Sequence, residues 1–511
     1  MKLSKITIIL QIVILLWSSV LTASTPKIVT YRTQKDFEKG KPRGVSINSK
    51  GEVLLAPSSS QILNPELPFI WSGVSDHHGN LFVAAGGNAC QIHKVDDANR
   101  STTFFDSERF QIYALAVDKQ NLYAATSPQG KVYKIPAGGN VNLNDPGFFD
   151  PAEAYIWDLA FDAQNNLYVA TGEKGNIYKV DSSGRGALFY ESEDAHIRRM
   201  AFDADGQLIV GTSNKGIILK LDAQGRAFVL YDSPLVEITE ILFDNAGNIF
   251  AAAAGEERLQ APLPAGQAPT AAEVSEPAEA IPDEEDELDL QVQSIAGAAP
   301  QPSGKSGSEL YRIDKDGTVK TFWRTRNERI FAMTWDGSGD IVVGAGDPGR
   351  LYSLNSTGDH TLLLELDETQ ITTLGKDSQG RIFAGTSNAG KVYRLSQDFN
   401  SKGEYLSDVI DAGVTSQWGA ISWDASLRPA TAVTLYSRSG NTERPDKTWS
   451  QWSTKYSVAS GEAITSAPAR FIQFKAELAT ANGKNTPLLR EVSFSYLQKN
   501  LSPEVTEITI L

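Results

Sequence analysis

A single cysteine, Cys90, in a chain of 511 residues excludes an internal disulfide, so stability has to come from buried apolar surface. Histidine is scarce as well. The five present are His77, His78, His93, His196 and His360. None sits in an H-E-x-x-H spacing, and no G-x-S-x-G elbow occurs, so neither zinc-protease nor α/β-hydrolase chemistry is written in this chain. Positive charge is also in deficit, with 47 Lys and Arg against 62 Asp and Glu, a net charge of −15. That balance argues against a nucleic-acid or anionic-membrane partner, either of which needs a basic patch to displace counterions. Past the first two dozen residues, no run is apolar enough to cross a bilayer.

What is present begins with MKLSKITIILQIVILLWSSVLTAS. Lys2 and Lys5 precede an apolar run from Ile6 to Leu16, and small residues follow around Thr22-Ala23-Ser24, which is the layout of a secretory signal spanning 1–24. It predicts an exported protein, periplasmic or extracellular, with no membrane span once the signal is removed. The alternative is an uncleaved N-terminal anchor, because the apolar stretch approaches the ~20 residues that span a bilayer.

The body of the chain repeats one phrase. IWDLAFDAQNNLYVATGEKGNIYKV at 156–180 returns as ITTLGKDSQGRIFAGTSNAGKVYRL at 371–395. The Asp closing the first strand of each copy falls at Asp76, Asp118, Asp162, Asp203, Asp244, Asp336 and Asp377, so the gaps are 42, 44, 41, 41, 92 and 41. The long gap is one period of 41 plus an insertion of 51. A weaker copy, GVSINSKGEVLLAP at 44–57, precedes the others. Each copy holds short β-branched and aromatic runs separated by Gly, Asn and Asp, the signature of strands. Four strands per ~40-residue period predict a blade of a β-propeller, a unit that buries its faces only by stacking on its neighbours.

The fold class is therefore all-β, a propeller over 35–403 followed by a β-sandwich. Counting copies gives eight units, and seven blades if the abbreviated first copy is not one. The segment Lys35-Asp36-Phe37-Glu38 resembles the fourth strands Thr103–Asp106 and Phe228–Tyr231, and is expected to complete the last blade. The D-x-x-G-N-L-Y-V-A-T…G-x-I-Y-K pattern across 69–395 resembles bacterial WD-repeat-like, NHL-like and two-component-regulator propellers. The resemblance implies the fold and leaves the activity open, because such propellers host many unrelated roles.

Between 254 and 308 the chain becomes Pro/Ala-rich, with eleven acidic residues against Arg258 and Lys305. This composition predicts disorder. The segment interrupts the fifth repeat between its second and third strands, on the face where propeller ligands usually enter. From 404 to 498 alternating strands such as ARFIQFKAEL predict the sandwich. The stretch is similar to the sandwich appended to many exported bacterial propellers, and more distantly to galactose-binding-like modules. Residues 499–511 read as a linker and one further strand, Val505–Leu511.

Two motifs mimic chemistry. APQPSGKS at 299–306 lacks the first glycine of a phosphate-binding loop and the strand-to-helix setting the loop requires. The repeated D-x-x-G turns offer one carboxylate per blade, whereas calcium needs six to eight oxygens on one point. An Asp accepting its own turn's N–H groups explains them.

Aligning the inner strands gives the candidate site. Two residues after the leading Ile lie Asp158, Arg199 and Glu240 in successive blades, with Ser72, Ala114, Ala332 and Thr373 elsewhere. One residue after it lie Trp71, Tyr113, Trp157, Arg198, Thr239, Phe331 and Thr372. The first set forms either a structural charge ladder or a polar ligand site, and the aromatics of the second form either inter-blade packing or a stacking floor. On the sandwich, Trp449, Trp452 and Arg438 offer a second surface.

The leading expectation is a non-catalytic exported binding or scaffolding module, without cofactor or metal, whose partner is an unidentified protein or carbohydrate. The resemblance also admits a propeller lyase or lactonase with a metal-assisted site at the channel mouth. For that alternative the dense candidates are His196, Glu193, Asp194 and Glu237. An extracytoplasmic sensory module is the third possibility.

Overall fold

The computed structural model describes residues 25–107, 111–136, 139, 147–257, 307–325 and 327–499. The signal at 1–24, the phosphate-loop mimic at 299–306, most of the acidic insertion and the strand expected at 505–511 lie outside these residues.

Blade III shows how one copy of the phrase becomes structure. Ile156–Phe161, Leu167–Thr171, Asn176–Val180 and Gly186–Glu191 pair in order as an antiparallel sheet. The second strand is buried along its whole length. Its Leu167 and Val169 pack with Ala114 and Val132 of blade II, and its Tyr168 and Ala170 pack with Ile197 and Met200 of blade IV. An apolar residue on both faces is what a sheet wedged between two sheets requires. The turn after the first strand is held by its own Asp162, whose Oδ1 accepts the N–H groups of Gln164 at 3.0 Å and Asn166 at 2.8 Å. Asp76 does the same for His78 and Asn80. These carboxylates hold turns, as their spacing implied.

Seven such blades close a ring, the smaller of the two counts. Their inner strands are Phe69–Ser75, Gln111–Val117, Ile156–Phe161, His196–Phe202, Leu235–Phe243, Arg329–Trp335 and Gln370–Lys376. Each abuts the next, and the last abuts the first. Every seam has its own apolar core, including the closing seam, where Phe383 and Val392 of blade VII meet Ile70 and Val83 of blade I.

Two N-terminal expectations are corrected. The fourth strand of blade VII is Pro57–Leu63, paired with Val392–Phe399, and not residues 35–38. Those residues fall in the short helix Gln34–Phe37, because Thr33 and Asp36 form a reciprocal capping box that starts a helical turn. The helix buries Phe37 against Tyr405, ring centroids 5.3 Å apart. The weak copy at 44–57 is a hairpin, Val45–Ile47 with Val53–Leu55, and not a blade. One of its strands bridges to the outer strand of blade VI through Ile47 and Leu362, and the other to the C-terminal strands through Val53 and Leu489.

In the C-terminal part, Ala469–Thr480 lies between Lys402–Leu406 and Thr431–Gly440. Leu488–Gln498 pairs with both Ile410–Ser426 and the N-terminal strand Lys27–Tyr31. Ile410–Ser426 changes partner along its length, pairing at Ile410 with Ile472 and from Gln417 onward with Leu488–Gln498. These pairings join the C-terminal strands in one hydrogen-bonded network, to which chain from before the ring supplies a strand. The core of Trp418, Leu435, Phe474 and Phe494 runs without a break into the seam between blades V and VI, through Leu55, Ile47 and Leu354. Among the described residues no helix is long and apolar enough to cross a membrane.

Candidate functional site

Every inner strand carries the same irregularity. Pairing with the second strand skips one residue between Ile70 and Ser72, Ile112 and Ala114, Ile156 and Asp158, and Ile197 and Arg199. The other three blades repeat it between Ile238 and Glu240, Ile330 and Ala332, and Ile371 and Thr373. All seven isoleucines are fully buried. The skipped residue is a β-bulge, which turns a side chain out of the ladder and re-aims it. Here the bulged residues are Trp71, Tyr113, Trp157, Arg198, Thr239, Phe331 and Thr372, and all of them line one cavity of about 410 Å³ at the end of the channel where the inner strands begin. That volume falls in the roughly 300–1,000 Å³ range of small-molecule sites.

The cavity has two unlike walls. Across blades I to III, Phe69 stacks on Trp71 at 4.8 Å, Trp71 meets Tyr113 edge-on at 5.1 Å, and Tyr113 stacks on Trp157 at 5.3 Å. Glycines in the second strands make room for this wall, since a Cβ at Gly86 or Gly172 collides with the indole of Trp71 or Trp157. Both indole N–H groups are already used, Trp71 donating to Gln111 Oε1 and Trp157 to His196 Nδ1, each at 3.3 Å. Apart from the Tyr113 hydroxyl, the wall therefore presents carbon.

Blades IV to VI supply charge. Arg198 lies over the Trp157 ring at 4.2 Å and donates its Nε to Glu237 Oε1 at 2.8 Å. Arg329 pairs with the other oxygen of Glu237. Burial opposes ionisation of Glu237, but the two guanidinium groups hold its carboxyl below the usual carboxylate range. Burial pushes Arg198 down, against the pull of Glu237.

The structure brings Asp158, Arg199 and Glu240 together. Arg199 lies 3.9 Å from Asp158 Oδ1 and 3.5 Å from Glu240 Oε2, and its Nε donates to the Thr239 carbonyl at 3.0 Å. Of the three, only Arg199 lines the cavity. The carboxylates serve the seams. Asp158 accepts the Met200 N–H of the next blade at 2.7 Å, and Glu240 likewise accepts the N–H of Met333. Ser72 does the same for Leu115 at 3.2 Å. Burial raises the carboxyl groups of Asp158 and Glu240 above their ordinary range, with Arg199 acting against it.

The alternative set is dispersed. The Glu193 side chain is 97% exposed and pairs loosely with Lys215. Asp194 is buried and accepts the backbone N–H groups of Ala195 and Lys215. His196 Nδ1 accepts from Trp157 and from the Glu173 N–H. Glu237 is held between its arginines. Among the described residues no group of three or more His, Cys, Asp or Glu is placed to hold a metal ion. In the connection after Thr431–Gly440, Trp449 is 5% exposed and belongs to the interior, whereas Trp452 is half-buried under Arg438 at 4.6 Å.

Sequence alignment missed Glu237 and Arg329 as partners, and Phe69 and Gln370 as cavity residues. All four stand immediately before the buried isoleucines of the inner strands, at the position shared by Gln111, Tyr155 and His196. Because the bulge follows the isoleucine, the residues on both sides of it turn toward the channel. A second alignment, one place earlier, contains that signal.

No protein-family model matches the chain, and no curated protein matches it. Among solved structures it is similar to virginiamycin B lyase from Staphylococcus aureus, with 11% identity over 67% of this chain and 98% of the other, at a TM-score of 0.47. The WD40 propeller domain of Doa1 gives 11% identity, 67% and 98% coverage and a TM-score of 0.47. The extracellular domain of BT4673 from B. thetaiotaomicron gives 14% identity and a TM-score of 0.46, covering 72% of this chain and 43% of that one. All are propellers in their ring, and none speaks to what this chain binds.

Proposed function

We propose that the protein is an exported, non-catalytic binding module that holds a small ligand, or a projecting group of a larger partner, in the cavity at the mouth of its propeller. The observation that carries this reading is the convergence of all seven bulged residues on one cavity with an aromatic and a charged wall. A ring needs no bulges to close. Repeating one in every blade places seven chosen side chains around a common space, which is how bulges are used beside binding sites. Export rests on the Lys2/Lys5 and apolar layout of the N-terminus. Of the carboxylates available to a lyase-like site, Asp194 and Glu237 are committed to backbone N–H groups and arginines and Glu193 is turned to solvent, which favours binding over acid–base work.

The test is a thermal-shift screen of small molecules against the protein and its Trp157→Ala variant. Ligands that raise the melting temperature of the parent are expected to lose that effect in the variant, whose circular dichroism stays unchanged. If every stabilising compound acts equally on both, the cavity is not the binding site.

A further inference from the structure

We infer that the cavity takes a flat-ringed carboxylate, an aromatic acid whose ring lies on the Trp71–Tyr113–Trp157 wall and whose anion meets Arg198 and Arg329. This rests on the cavity being the binding site, and it adds which chemistry the cavity selects.

Most polar groups around the cavity are already committed. The two indole N–H groups are satisfied inside the protein. Thr372 donates to the Ile70 carbonyl at 2.6 Å, Ser387 donates to Thr372 at 3.3 Å, and Thr239 is turned to the Ala252 carbonyl at 3.4 Å. Arg199 is shared among Asp158, Glu240 and the Thr239 carbonyl. What remains is the Tyr113 hydroxyl, the Gln370 amide, which gives only its Nε2 to Asp347 at 3.4 Å, and, as the charged donors, the two guanidinium groups. Arg198 gives Glu237 only its Nε, and Arg329 gives it only one Nη. Their other nitrogens have no protein acceptor among the described residues, and none of them is sealed from solvent.

The ion pairs point the same way. Arg198 and Arg329 share one carboxylate, Glu237, and behind them Arg199 is shared between Asp158 and Glu240, so the network balances in formal charge while its unpaired N–H edges belong to Arg198 and Arg329. Stacking on Trp157 holds the Arg198 guanidinium by its face and leaves its N–H edge for an acceptor, the geometry in which arginine grips carboxylates. A polyol would find few partners for its hydroxyl groups, because the opposite wall offers only the Tyr113 hydroxyl beside ring carbon. An apolar ring would meet the cavity-facing parts of Trp71, Tyr113 and Trp157, which their packing on one another at 5.1–5.3 Å holds in place.

Glu237 gives the inference a distinctive consequence. It competes with the ligand for the same two arginines, so Glu237→Gln frees both and is expected to tighten binding of an acid. A purely structural ion pair predicts no such gain.

The experiment is calorimetric titration of the full chain with indole-3-acetate, indole-3-acetamide and glucuronate. The acid is expected to bind roughly tenfold or more tightly than the amide, since charge-assisted hydrogen bonds to the carboxylate are lost. Arg329→Gln is expected to erase that preference, Glu237→Gln to strengthen it, and Trp157→Ala to abolish binding of acid and amide alike. Equal binding of acid and amide, both lost in Trp157→Ala, overturns the anion assignment and leaves the cavity as the site. Preference for glucuronate overturns the flat-ring assignment. Binding of indole-3-acetate that survives Trp157→Ala overturns both the inference and the cavity reading. If none of the three probes binds, the ligand class is wrong, and the thermal-shift screen decides the cavity by itself.

Discussion

Glu237 and Glu240 stand three residues apart on one strand, and their surroundings move their carboxyl groups in opposite directions. Glu237, between two arginines, is held below the usual range, whereas burial raises Glu240 above it. A raised carboxyl binds more protons in the folded than in the unfolded state between the two pKa values, so its ionisation removes stability as pH rises through the ordinary range and above. A lowered carboxyl contributes stability that is present above the ordinary range and lost as pH falls below it. Glu240→Gln is therefore expected to gain on the parent as pH rises from about 5 to about 8. Glu237→Gln is expected to close its deficit as pH falls from about 6 toward 3. Urea midpoints across pH check both, and shifts of the same sign contradict the assignment. At this scale the register of Trp71, Tyr113 and Trp157 was readable from aligned strands, since spacing alone fixes which residues share a ring position. Which carboxylate hydrogen-bonds a neighbouring backbone and which faces the cavity was not, because that depends on a bulge, and a bulge leaves no mark on composition.

The strand that seals the ring illustrates what local pattern hides. Pro57–Leu63 reads PSSSQIL, with little of the aromatic and β-branched character of the other fourth strands, and pairs because ring geometry presents it with the open edge of Val392–Phe399. Residues 35–38 looked more like a strand, yet the Thr33–Asp36 capping box is a stronger local instruction and made a helix. Leu63 is buried in the closing seam, so Leu63→Ala is expected to cost about 2–4 kcal/mol. Phe228 on the outer strand of blade IV is 68% exposed, and Phe228→Ala is expected to stay within about 0.5 kcal/mol. Guanidinium titrations of the two variants compare them directly. Equal small effects mean that the ring is not closed by this strand.

Across the whole molecule, the repeat explains the architecture and the departures from it mark the attachments. Seven copies became blades because each second strand is apolar on both faces and is covered only by its neighbours. The eighth, abbreviated copy has no third or fourth strand, so it served instead as a hairpin joining blade VI to the C-terminal strands. The all-β class and the propeller were thus legible from period and strand pattern, while the N-terminal contribution to the C-terminal core was not, since Lys27–Tyr31 meets its partner Val492–Tyr496 across nearly the full length of the chain.

The bulged residues of separate blades face one another across a single cavity. Chemical cross-linking tests this most directly. In a Cys90→Ala background, Tyr113→Cys and Thr372→Cys place thiols on blades II and VII. A short bis-maleimide is expected to join them rapidly within one folded molecule, giving a single mass adduct with one linker per chain. Two independent adducts per chain, one on each thiol, with no intramolecular bridge, contradict the account.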